Sequence, residues 1–191
     1  VAGPFLNLFS TPSLELLVKQ GARRWVMPLE MGQAGLASIL AEKQFPVETE
    51  VFAYGRLPLA FSARCFTARN RNLPKDNCQY VCMELPDGLM MKTRGRQPFL
   101  VLNGIQTQSA LVYNLLADVH CMRETGVDIV RISPQWQDTD KIVELYDAVI
   151  NNRLDAASAM AHIEPLMPEQ GCNGYWHGKP GLEQVAAQAI F

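Results

Sequence analysis

Short apolar runs that alternate with stretches of about a dozen residues in helical periodicity constrain this chain most. Arg23–Met27, Val47–Tyr54, Phe99–Leu102 and Asp128–Ile132 have strand length and apolar content, and each lies close to a helical stretch. Thr11 is placed to cap a helix with Pro12 in its first turn, running to Gln20 and stopping at Gly21. Gly32–Lys43, about Ser109–Glu124, Asp138–Asn151 and Leu154–Ile163 read as further helices. Ile142, Val143, Leu145, Tyr146 and Val149 put one apolar stripe on the Asp138–Asn151 helix. Phe5–Phe9 (FLNLF) reads as a first short strand, and Leu89–Thr93, after a turn at Gly88, as part of a hairpin.

Strands and helices in this order form βα units on a mainly parallel sheet, and the chain holds about five. A closed eight-fold βα barrel needs roughly 250 residues, so the expected α/β fold is a partial (βα) TIM-barrel-like one, the C-terminal portion of a barrel. All 191 residues are expected to form one domain. The chain opens at Val1, without Met, and almost directly into an apolar stretch, so an N-terminal part of the natural protein is expected to precede it. An open doubly wound sheet is the alternative, but no glycine-rich phosphate fingerprint follows the first strand. Either architecture binds ligands beyond the C-terminal ends of its strands. Cys65 falls at such an end, past the Val51–Ser62 region.

Gly55–Cys82 breaks the alternation. It holds three of the five cysteines, Cys65, Cys78 and Cys82, in a polar passage with no apolar period after Phe66. Twelve residues separate the first pair and three the second. Thiols gathered outside a core pattern point to a soft metal or an iron–sulfur cluster, against the plainer reading of unrelated loop cysteines. Three are one short of the four that either group takes. Cys172 is a minor candidate for the fourth, and Cys121, inside a helix, reads as inert.

Arg64 and Arg69 are placed to hold an anionic substrate or to tune a cluster, against the plainer reading of a solvated basic loop. Gly171–Gly181 (GCNGYWHGKPG) crowds Tyr175, Trp176 and His177 among four glycines, as a substrate-side loop or a segment docking across a barrel mouth would. His162 and His177 read as structural.

Charge excludes more than it identifies. A net charge of −2 gives no basic footprint for nucleic acid, which is not an expected partner. The uncharged run Pro98–Ala117 is interrupted by Asn103, Gly104, Gln106, Gln108 and Asn114, so it reads as a buried strand and helix, with no transmembrane segment. An odd cysteine count below disulfide-scaffold density favours a reducing, cytoplasmic setting. No serine elbow, zincin helix or phosphate loop occurs in the sequence.

YGRLPLAFSARC leading into NCQYVC, with QPFLVLNGIQTQS (97–109), VDIVRISP (127–134) and GCNGYWHGKPG, resembles the collagenase-like U-thirty-two peptidase family. The match is closest to members that serve ubiquinone biosynthesis, and it runs from about Val47 onward. The resemblance implies a βα-barrel-type fold and a 4Fe–4S cluster held by Cys65, Cys78 and Cys82, its fourth ligand lying outside this chain. It further implies oxygen-independent ring hydroxylation of an isoprenoid aromatic quinone precursor, in a heterodimer with a UbiU-like sister subunit. Base hydroxylation of RNA, as in other relatives, and a non-catalytic cluster-bearing partner subunit are the alternatives it leaves open.

Overall fold

A computed structural model of the protein describes residues 1–186. The chain runs through α1 (Thr11–Lys19), β1 (Arg24–Val26), α2 (Gln33–Glu42) and β2 (Glu48–Gly55). Next come β3 (Pro58–Phe61), α3 (Phe66–Asn70), β4 (Leu89–Lys92), β5 (Pro98–Asn103) and β6 (Gln106–Ser109). It closes with β7 (Val112–Asn114), α4 (Val119–Thr125), β8 (Ile129–Ile132), α5 (Thr139–Ile150), α6 (Ala156–Ile163) and β9 (Gly171–Cys172).

β2 is the hub of the first sheet. Every residue from Thr49 to Gly55 is buried, as in a strand covered on both faces. β1 pairs with it in parallel (Arg24↔Glu48, Val26↔Glu50), and so does β8 (Glu50↔Ile129, Val51↔Val130). β1, α2 and β2 thus make the βαβ unit that the sequence pattern predicts. β7 then pairs antiparallel with the end of β2 through Tyr54↔Asn114, and β9 adds in parallel to β7. The sheet is mixed, and no closed barrel forms among the described residues.

Leu14, Leu36, Val51, Ala53, Leu116, Ile142 and Ile163 are fully buried and join α1, α2, α5 and α6 to this sheet. Tyr146 of α5 reaches into the same core, its hydroxyl 2.8 Å from Ala53 O and 3.0 Å from Asn114 Oδ1. Glu50 is buried between two arginines, Arg24 of β1 and Arg131 of β8, on the strands flanking β2.

Residues 56–111 leave the first sheet after β2 and return at β7. They build a second, antiparallel sheet in the order β3-β6-β5-β4. The exit and the return are bonded to each other: Leu57 N donates to Ser109 Oγ (2.8 Å), and Ser109 N donates to Leu57 O (2.9 Å).

Two elements differ from expectation. FLNLF is no strand: Pro4–Leu6 is a 3-10 turn, and the only pairing near it is Ala2 beside Trp25. Phe5, Leu6 and Phe9 are each about half exposed, and Phe5 meets the second sheet only through an edge-to-face contact with Phe61 of β3, ring centroids 4.9 Å apart. The helix expected from Ser109 begins only at Val119. Asn103 and Gln106 pair across a two-residue loop, Gly104–Ile105, with Gly104 at φ 60, a conformation glycine adopts without cost. That hairpin carries residues 106–109 into a strand and overrides the helical periodicity downstream.

Candidate functional site

The C-terminal ends of β2 and β8 open onto a cleft of about 290 Å³ between the two sheets. Gly55, Arg56, Asp87, Asn103, Gln108 and Trp136 form its main walls. Gly55 adopts φ 117, and a Cβ there would lie 2.7 Å from Ser133 Cβ, so only glycine lets the two strand ends approach this closely. Tyr54 donates its hydroxyl to Gln135 Oε1 at 2.6 Å, while Gln135 Nε2 donates to Gln137 O and Leu166 O at 2.8 Å. This fixes the Ser133–Gln137 turn, and Trp136 N donates across the cleft to Asp87 Oδ1 at 2.9 Å. The Trp136 ring remains largely exposed at the mouth.

Arg56 donates to the carbonyls of Ser109 and Ala110. Burial pulls its pKa down, and the nearby carboxylates of Asp87 and Glu169 oppose that. The guanidinium stays charged. Burial likewise pushes the Tyr54 phenol up. The cleft therefore offers one cation, the Asp87 carboxylate and one aromatic face.

Cys65, Cys78 and Cys82 all sit in the connection between β3 and β4. Cys65 immediately precedes α3, Cys78 closes the 3-10 turn Lys75–Asn77, and Cys82 lies inside the next turn, Val81–Glu84. α3 packs on that last turn, and Arg71 Nη2 clamps Glu84 Oε2 at 2.8 Å. All three thiols are half-buried. Between Cys78 and Cys82, Gln79 and Tyr80 both adopt left-handed backbone, φ 54 and φ 52. Two successive non-glycine residues in that region cost on the order of 1–3 kcal/mol each.

Arg64, Cys65 and Arg69 line one open cavity of about 760 Å³. Tyr175 and Trp176 lie elsewhere: Trp176 belongs to the core, and Tyr175 packs its ring against Gly181. Cys172 is buried beside Tyr113, and burial pushes its thiol up to about 11. Cys121 is half-buried on α4, where its sulfur accepts from Gln33 Nε2.

The family model for Peptidase family U32 matches residues 4–186. The chain belongs to this family. No solved structure matches it.

Soft thiol donors on one packed unit, joined by a strained turn, are the right chemistry for the iron–sulfur cluster that the U32 resemblance implies. The ligand set is not closed: among the described residues, no three His, Cys, Asp or Glu side chains are gathered as a metal site. No described helix of this U32 chain is long and apolar enough to cross a membrane. Arg56, Asp87, Gln135 and Trp136 escaped the sequence reading. Their signal was positional: each follows, or is bonded to, the end of a parallel strand, where α/β folds bind ligands.

Proposed function

We propose that this U32 chain is the cysteine-bearing portion of a cytoplasmic, UbiV-type iron–sulfur protein required for oxygen-independent ring hydroxylation in ubiquinone biosynthesis. Cys65, Cys78 and Cys82 would hold the 4Fe–4S cluster, with a fourth ligand from outside this chain. The group, when bound, supplies one-electron chemistry. The observation that carries the reading is the Cys78–Cys82 turn. Its paired left-handed residues are the kind of strain that persists where the surroundings impose a conformation, as in a ligand clamp.

The parallel β1–β2–β8 segment, with α2 crossing between β1 and β2, is consistent with part of a βα barrel. The cleft at its strand ends would receive the ring of an isoprenoid aromatic precursor against Trp136. Arg56, held by the Ser109 and Ala110 carbonyls, would orient it. A UbiU-like sister subunit would complete the assembly. The test is anaerobic ubiquinone content in cells whose own copy is replaced by Cys78→Ala/Cys82→Ala. The proposal predicts loss of anaerobic ubiquinone with aerobic synthesis retained, and unchanged anaerobic levels would refute it.

A further inference from the structure

The near-neutral total charge hides a division within the chain. Residues 56–111, which build the second sheet and carry Cys65, Cys78 and Cys82, hold eight basic side chains against three acidic ones, a net charge of +5. The rest of the chain holds nine against sixteen, a net charge of −7. A partner meets the local charge and not the total.

Part of the excess lies beside the thiols. Arg64 and Arg69 are exposed and line one open cavity with Cys65. Among the described residues neither pairs with a carboxylate, whereas nearby Arg71 is held by Glu84. α3 packs on the turn Val81–Glu84, so these arginines belong to the same packed unit as Cys82. That unit also carries two large apolar side chains with nothing over them. Tyr80 is 73% exposed and Met83 79%, more than any other large apolar side chain among the described residues except Val1. Tyr, Met and Arg are the side chains that contacts between proteins enrich.

We infer that Arg64, Arg69, Tyr80 and Met83 form a docking face for a small acidic electron-carrier protein. The acidic surface of the partner follows from the charge of this unit, and its apolar centre from Tyr80 and Met83. That it carries electrons rests on the cluster reading above. Encounters between redox proteins are small, about 1,200 Å² or less, and rely on steering by opposite charge. A patch of two arginines and two apolar side chains suits that scale. A nucleic acid suits it less. Its strand would run past the patch onto the acidic remainder of the chain, and Asp76 and Glu84 stand in the turns that carry the cysteines.

The test is binding of two acidic carriers, an oxidised flavodoxin and an oxidised plant-type ferredoxin, to the anaerobically purified full-length protein. At least one should bind, about tenfold more weakly at about 0.5 M salt than at about 0.05 M. Arg64→Glu/Arg69→Glu should weaken that binding about tenfold or more. Arg94→Glu/Arg96→Glu changes the net charge equally in the Thr93–Gln97 turn, at the other end of β5 from Gly104, which bonds the start of α3. It should weaken binding less than about threefold. Tyr80→Asn keeps a residue that tolerates the left-handed backbone and should cost about tenfold with the salt dependence unchanged. All these side chains are exposed, so the variants should fold. No binding of either carrier, or equal losses in the two double variants, would overturn the inference. So would tighter binding of a poly(U) RNA that Arg64→Glu/Arg69→Glu abolishes, which would give the face to nucleic acid. Iron and sulfide are measured in the same samples. Docking without iron keeps the face and removes the cluster reading, and iron without docking removes the face alone.

Discussion

Replacing Tyr146 with Phe removes one oxygen from the point where α5, β2 and β7 meet. The expected cost follows from what the hydroxyl leaves behind. Its two neighbours are Ala53 O and Asn114 Oδ1, both buried. Neither is orphaned by the substitution, because Ala53 O also accepts from Leu115 N at 2.9 Å and Asn114 Oδ1 from Leu116 N at 3.1 Å. Only the buried hydrogen bond is lost, about 1–1.5 kcal/mol, without the further 1–3 kcal/mol that an abandoned buried acceptor costs. In a domain of this size that lowers Tm by about 3–5 °C. Tyr146→Ala also empties a core position and should cost about 3–5 kcal/mol. Urea and thermal unfolding of both variants measure the two values. A Tyr146→Phe loss above about 3 kcal/mol would refute the reasoning, because it would mean that the acceptors depend on Tyr146 alone.

Gly55→Ala should cost about 2–4 kcal/mol, since it adds positive-φ strain to a clash with Ser133, whereas Gly104→Ala, whose Cβ meets open space, should cost about 1 kcal/mol. Equal losses in urea unfolding would contradict this. Glu50→Gln leaves Arg24 and Arg131 without their shared carboxylate, and because both arginines are partly exposed, the expected loss is only about 1–2 kcal/mol. In the metal-free protein at pH 8, iodoacetamide should modify Cys65, Cys78 and Cys82 well before Cys172, whose buried thiol is pushed up to about 11. Peptide mapping that finds Cys172 modified as fast would show that this wall of the core is open. Hydrogen bonds from Ser158 hold the Asp155 carboxyl below its usual range, so its helix cap stabilises the fold above about pH 4 and fades as pH falls further. Wild type and Asp155→Ala should therefore differ in Tm at pH 7 and converge at low pH.

The parallel half of the fold was legible because its elements are local and periodic. Arg23–Met27, Gly32–Lys43, Val47–Tyr54, Asp128–Ile132 and Asp138–Asn151 all appear within a residue or so of their expected ends. The second sheet was harder to see. Its strands are short, β6 is the polar Gln106–Ser109, and what makes that segment a strand is its pairing with β5. The expected helix from Ser109 failed for the same reason, since β7 pairs with β2 from far along the chain. At the site, the grouping of Arg64, Cys65 and Arg69 could be read from spacing alone. Tyr175 and Trp176 do not join that group, because the glycines around them let their segment fold tightly onto the core. Arg56 lies in a run read only for its cysteine and Trp136 in no motif, so the strand ends that carry them are what mark the cleft.

Iron, acid-labile sulfide and zinc measured in the anaerobically purified full-length protein test the central claim most directly, with the Cys65→Ala, Cys78→Ala and Cys82→Ala variants alongside. The account predicts iron and sulfide in near-equal amounts in the wild type and their loss from each variant. Zinc without sulfide, or iron and sulfide unchanged in the three variants, would contradict it.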